Sequence, residues 1–218
     1  MNENKKNYNF YISLWLLIST ILIATMIIVG GLTRLTDSGL SITKWDLFSG
    51  IIPPLTMSDW QISFSLYKEI PEFKLLNSNM TINEFKFIFW WEYIHRLLGR
   101  VIGLFFLIPL IFFSFKKYLN KKEIFNFNLI FLLIVFQGII GWYMVKSGLI
   151  DRTDVSHYRL SIHLTIAFII FGCLQWNYLI FLNKNNLKSK NVSFPNYILI
   201  IFLFLLIFQI SFGAFVSG

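Results

Sequence analysis

The 218 residues contain a single cysteine, Cys173, and only three histidines. A lone cysteine excludes an internal disulfide and the thiolate clusters that hold structural zinc or iron–sulfur. Cys173 lies inside an apolar run and is expected to be a small packing residue. Charge is also scarce, at 14% of residues against 56% hydrophobic, with a mean hydropathy of +0.65. That balance excludes an ordinary soluble domain and describes an all-α integral membrane protein, since no strand pattern is present. The formal charge of +8 does not indicate nucleic acid. Its lysines gather at the ends of apolar runs and do not form one basic face.

Crossing a bilayer takes about 20 apolar residues. Such runs lie near 11–32, 94–115, 126–145, 160–182 and 196–217, which predicts five transmembrane helices. The first run lacks a small-x-small cleavage site and is read as a retained helix. Short cytoplasmic loops carry excess Lys and Arg. Lys5 and Lys6 precede the first span, Lys116, Lys117, Lys121 and Lys122 join the second to the third, and Lys184, Lys188 and Lys190 join the fourth to the fifth. These ends, and with them the N-terminus, are expected to face the cytoplasm. Loops 33–91 and 146–158 then face outward.

The long outer loop has structure of its own. Pro53-Pro54 marks a turn, and Trp60, Phe64 and Tyr67 recur at helical spacing, which predicts a short helix at the interface. Thr81 and Glu84 fit a capping box, so the second helix begins well before the membrane. Phe87, Phe89, Trp90 and Trp91 are read as an aromatic belt that anchors this helix where it enters the bilayer.

Further along the helix, Glu92, His95, Arg96, Gly99, Arg100 and Gly103 follow one another at spacings that keep them on one stripe. Ionisable groups near hydrocarbon are costly, so such a stripe must face protein or a cofactor. Gly99 and Gly103 make room for a flat macrocycle or a close helix. Simple helix packing, with Glu92 neutralised by Arg96, is the plainer alternative. In the fourth span Arg159 and His163 lie one turn apart, with Ala167 extending the same face. His95 and His163, on separate helices, can together grip one heme iron. Its propionates would then point to the outer interface, and Arg159, Arg96 and Arg100 are each able to meet them. His157 is rotated to another face and is expected in the loop.

An internal echo accompanies this. FQGIIG at 136–141 recurs as FQISFG at 208–213, each followed by Val and then Ser-Gly, and Gly30-Gly31 with Ser38-Gly39 is a looser third copy. Echoes of this kind mark either duplicated bundles or common helix-packing residues. The chain closes at Val216-Ser217-Gly218 without a charged tail, and a longer parent protein is expected.

Long motifs then converge on one family. GGLTRLTDSGLSI at 30–42, IPPL at 52–55, FKFIFWWEYIHRLLGR at 85–100, GWYMVKSGL at 141–149 and SHYRL at 156–160 resemble heme A synthase over nearly the whole chain. The likeness is to the proteobacterial and mitochondrial branch, which lacks a cysteine pair in the first outer loop. The resemblance implies an eight-helix protein of two similar four-helix bundles. Residues 1–190 would form the first bundle, carrying outer loop 33–91, and 191–218 the first helix of an incomplete second.

It further implies that the first bundle receives heme O and oxidises its C8 methyl to a formyl group through two hydroxylations, giving heme A for terminal oxidases. Glu92 would be the catalytic carboxylate and His95 and His163 the axial ligands, in a pocket shared with Arg96, Gly99, Arg100, Gly103 and Arg159. A heme b would belong to the second bundle. Implied partners are membrane lipid, heme O synthase and a membrane electron acceptor, in the inner (plasma) membrane, with homo-oligomerisation left open. Two rival readings keep the helices but change the work: a b-type bis-histidine electron carrier, and a heme-free scaffold whose histidines hydrogen-bond across helices.

Overall fold

The computed structural model describes residues 3–44, 49–184 and 196–217. Lys188, Lys190 and the expected boundary at 190 lie outside the described residues. Among those described there is no strand. Seven α-helices follow one another: α1 (Glu3–Leu35), α2 (Met57–Tyr67), α3 (Pro71–Leu75), α4 (Ile82–Phe115), α5 (Lys121–Asp151), α6 (His157–Asn183) and α7 (Asn196–Ser217). Five of them, all but α2 and α3, are long and apolar enough to cross a membrane.

All but α7 overrun the apolar windows, because a helix ends where its backbone groups are capped and not where hydropathy drops. Thr81 and Glu84 form the expected capping box on α4. Asn120 with Glu123 does the same for α5, and Thr56 with Asp59 for α2. The outer connection expected at 146–158 is correspondingly shorter, since α5 continues to Asp151.

Helix α1 packs against α4 and α6, and α5 packs against the same two, which closes a four-helix ring; α7 lies against α6. Trp15, Leu16, Phe106, Leu110, Phe127 and Leu174 fill one half of the ring. Outward, Leu104, Ile108, Phe112, Leu132 and Trp176 are exposed, as lipid-facing side chains of a bundle would be. Pro109 interrupts α4 and cannot donate to the carbonyl of Phe105, four residues back. The indole Nε1 of Trp15 donates to that carbonyl at 3.3 Å. Trp15→Phe is therefore expected to lower stability by about 1–3 kcal/mol, measured by thermal denaturation in detergent.

The lysine-bearing ends gather at one end of the ring. Tyr8 of α1 stacks on Tyr118 of the α4–α5 turn at 3.7 Å, and Lys184 at the end of α6 pairs with Glu123 of α5. Cys173 packs against the core, and its carbonyl accepts from Asn177 at 2.7 Å.

At the opposite end a cap forms on α4. Trp60, Phe64 and Tyr67 of α2 turn inward onto Phe85, Ile88, Phe89 and Tyr93. Phe89, read as an anchor from its neighbours, is instead 6% exposed, with its ring 4.9 Å from that of Trp60. Three residues of that aromatic run are otherwise disposed: Phe87 and Trp90 point outward, and Trp91 is half-buried against Phe87. A helix face spans about 100°, so four near-consecutive aromatics cannot all reach lipid.

Glu72 of α3 is buried in this cap. It accepts from the Tyr67 hydroxyl at 2.9 Å, and Asn77 donates to that hydroxyl at 2.8 Å. Burial pushes the Glu72 carboxyl up to about 7, with the nearby Glu92, Asp37 and Asp154 adding to the rise against the Tyr67 bond. A carboxyl raised on folding binds its proton more tightly in the folded state, so stability falls as pH climbs from the ordinary carboxylate range to about 7. The expected slope is at most about 1.4 kcal/mol per pH unit in that window. Melting temperatures measured across it should flatten in Glu72→Gln.

Candidate functional site

His95 and His163 stand on α4 and α6, two helices of the ring. Each ring is backed by a glycine from a neighbouring helix. A Cβ at position 30 of α1 would stand 3.1 Å from His95 Cε1, and one at position 141 of α5 would stand 3.5 Å from His163 Cε1. A side chain at position 30 would press on the first imidazole, so glycine leaves the room that the ring occupies. The Nδ1 atoms of both rings are buried without a hydrogen-bond partner. Gln137 of α5 donates through its amide nitrogen to the backbone carbonyl of His163 at 2.8 Å.

Glu92 is 2% exposed and its partners come from the chain that follows α1. Asp37 adopts a left-handed conformation (φ 47°), and the Ser38 N–H closes onto the Thr33 carbonyl at 2.9 Å, which ends α1 and turns the chain back into the mouth of the ring. Leu40 packs so tightly on α5 that a Cβ at Gly148 would lie 2.8 Å from it. Ser41 Oγ and the Ile42 N–H then donate to Glu92 Oε2, each at 2.7 Å. On the other side Arg96 pairs with Oε1 and also donates to the Ile42 carbonyl at 3.0 Å. The carboxylate thus has donors on both oxygens, an arrangement that fixes its orientation.

The remaining predicted residues divide. Gly99 lies against α1, where a Cβ would stand 3.3 Å from Met26 Cε, while a Cβ at Gly103 would meet nothing within 4 Å. Close helix approach accounts for the first, and free space adjoins the second. Arg100 is half-buried on α4. Arg159 is held by α5: it donates to Ser147 Oγ and lies over the Tyr143 ring, 4.4 Å from its centroid. His157 is not in a loop. It is the first residue of α6, with its ring 6.1 Å from that of Phe215 on α7. The helix starts earlier than the apolar pattern because Tyr158 also finds a partner in Phe215, at 5.1 Å.

Sequence reading did not assign Gly30, Gly141, Gln137, Ser41 or Ile42 to the site. The echo singled out the first three, as marks of either a duplicated bundle or common helix-packing residues. In the structure two copies of that echo place a glycine against a histidine of the next helix.

The donor set suits one kind of guest. Among the described residues no group of three or more His, Cys, Asp or Glu could hold a bare metal ion. Two imidazoles on different helices are too few for a naked cation, yet they are what an iron already held in a macrocycle takes as axial ligands. The residues therefore fit a heme. Two surface hollows lie on the cap, one lined by Asn77, Met80, Glu84 and Phe87, the other by Thr43, Lys44, Ile70 and Leu149, and neither of these includes a histidine.

Comparison with known proteins identifies the family. The COX15-CtaA family, described as "Cytochrome oxidase assembly protein", matches residues 13–218. The heme A synthase of Pelagibacter ubique is 51% identical over 220 residues, which cover 100% of this chain and 64% of that protein. That of Ehrlichia canis is 48% identical, covering 99% and 62%, and that of Flavobacterium psychrophilum 45%, covering 100% and 63%. The chain thus spans less than two thirds of the length of the curated relatives it matches. No solved structure matches it.

Proposed function

Because the chain belongs to the COX15-CtaA family of cytochrome oxidase assembly proteins, we propose that it is the substrate-oxidising first bundle of a heme A synthase. The observation that carries this is the pair His95 and His163, each backed by a glycine and each with a buried, unpartnered Nδ1. In this reading the substrate is heme O, its iron held by the two imidazoles, and the reaction converts its C8 methyl to a formyl group by two hydroxylations. The iron supplies the redox chemistry when heme is bound. Glu92, one turn from His95, accepts the proton or positions water. Ser41, Ile42 and Arg96 hold its carboxylate oriented for that task.

Free space beside Gly103 is offered to the macrocycle or its apolar tail, and Arg100 to the propionates. The bundle sits in the inner membrane with its lysine-rich end in the cytoplasm, takes heme O from heme O synthase, and passes electrons to a membrane acceptor. Helix α7 opens a second bundle.

Expression in a membrane host that makes heme O, followed by extraction, chromatography and mass spectrometry of the bound heme, tests the reading. Heme A or its hydroxylated precursor is expected, and an absence of heme would overturn the assignment. A b-type electron carrier is the rival, favoured by the full engagement of Glu92, since such a protein needs no reactive carboxylate. Glu92→Gln separates them: the oxidising bundle keeps heme and loses product. Unchanged product formation would remove Glu92 from the mechanism.

A further inference from the structure

The bond from the Gln137 amide nitrogen to the His163 carbonyl fixes which way the amide faces, because only its NH2 end can donate to a carbonyl. Its oxygen, Oε1, is then left buried with no hydrogen-bond partner. So is Nδ1 of His163, on the helix that α5 packs against. One turn along α5 from Gln137, Gly141 meets the same imidazole at Cε1, the atom bonded to Nδ1. Orphaned buried polar atoms are uncommon and call for an explanation. When a histidine binds iron through Nε2, Nδ1 carries the proton and becomes a donor, and in most metal sites it finds an acceptor.

We propose that Gln137 is a positioning residue for His163: its nitrogen holds the backbone carbonyl of the histidine, and its oxygen accepts Nδ1–H of the iron-bound imidazole. The inference rests on the heme reading above. An amide that accepts this proton makes the imidazole a stronger electron donor and locks its tautomer and ring orientation. Both histidines are backed by a glycine, Gly30 for His95 and Gly141 for His163. The amide of Gln137 would make His163 the more basic and the more rigid of the two residues that would hold the iron.

Reconstitution of the 218-residue chain with iron protoporphyrin IX allows the midpoint potential and the affinity to be read together. Gln137→Met keeps the length of the side chain and removes the acceptor. Gln137→Glu keeps an acceptor and makes it anionic. The potential is expected to rise in the first and fall in the second, because a more basic ligand favours ferric iron, and Gln137→Met should weaken porphyrin binding by about 10-fold or more. Equal potentials in all three proteins would mean that Gln137 only ties two helices together, and would overturn the proposal. If Gln137→Met does not fold, Gln137→Glu decides alone: a potential no lower than the parent's overturns it. A parent chain that binds no porphyrin defeats the heme reading itself, whereas a parent that binds it with unmoved potentials defeats only the role of Gln137.

Discussion

Replacing either His95 or His163 with alanine is expected to abolish the Soret band of the heme-loaded protein, and not merely to weaken it. Neither the remaining histidine nor the cysteine is placed to substitute: among the described residues the third histidine, His157, is placed against Phe215 of α7, and Cys173 lies in the packed half of the bundle. The effect should be reproduced without touching a ligand. A leucine at Gly30 would set a Cβ 3.1 Å from His95 Cε1 and branch beyond it, so the imidazole has to leave its position. Absorption spectra of the purified variants check both statements. A Soret band of unchanged intensity in His95→Ala would show that heme, if bound, is held elsewhere.

Arg96→Met should be the most destabilising single change at the mouth of the ring, by about 3–5 kcal/mol. Glu92 is buried and its charge is met on one oxygen by Arg96. Removing the guanidinium leaves Ser41 and the Ile42 N–H as neutral donors to an uncompensated carboxylate, and frees the Ile42 carbonyl as well. The partner change, Glu92→Gln, leaves a neutral amide in the same place and should cost less. The double variant is expected to recover much of the loss, because a buried pair replaced by neutral groups is often tolerated. Thermal denaturation of the four proteins forms the cycle, and additive losses would show that the two side chains act independently.

The helices were readable because apolar runs of bilayer length have few alternatives, and the start of α4 was readable to the residue because Thr81 and Glu84 carry the capping chemistry in their side chains. The histidine pair was readable for a related reason, since an ionisable residue in such a run needs a partner. Glu92 was read as part of the same stripe, and its pairing with Arg96 as the plainer alternative, yet its other two donors could not be. Ser41 and the Ile42 N–H lie some 50 positions away, and a backbone N–H has no letter in the sequence. Phe89 and His157 were misplaced because hydropathy does not say which side of a helix is covered by a cap or by a later helix. Gly30 and Gly141 were visible only as an echo, whose meaning depends on which ring each glycine meets.

The return of residues 38–42 into the mouth of the ring has a bearing on traffic. Ser38, Leu40 and Ser41 are each no more than 2% exposed there, and Trp15, Phe106 and Phe127 fill the bundle toward the opposite end. A cylinder stoppered at both ends communicates with its surroundings through its flanks. Helices of this length and hydropathy would turn those flanks to hydrocarbon, so the proposed guest would exchange with the bilayer and not with either aqueous phase. The isoprenoid-bearing heme proposed as substrate would already be dissolved in that phase, and its delivery would require no water-filled channel.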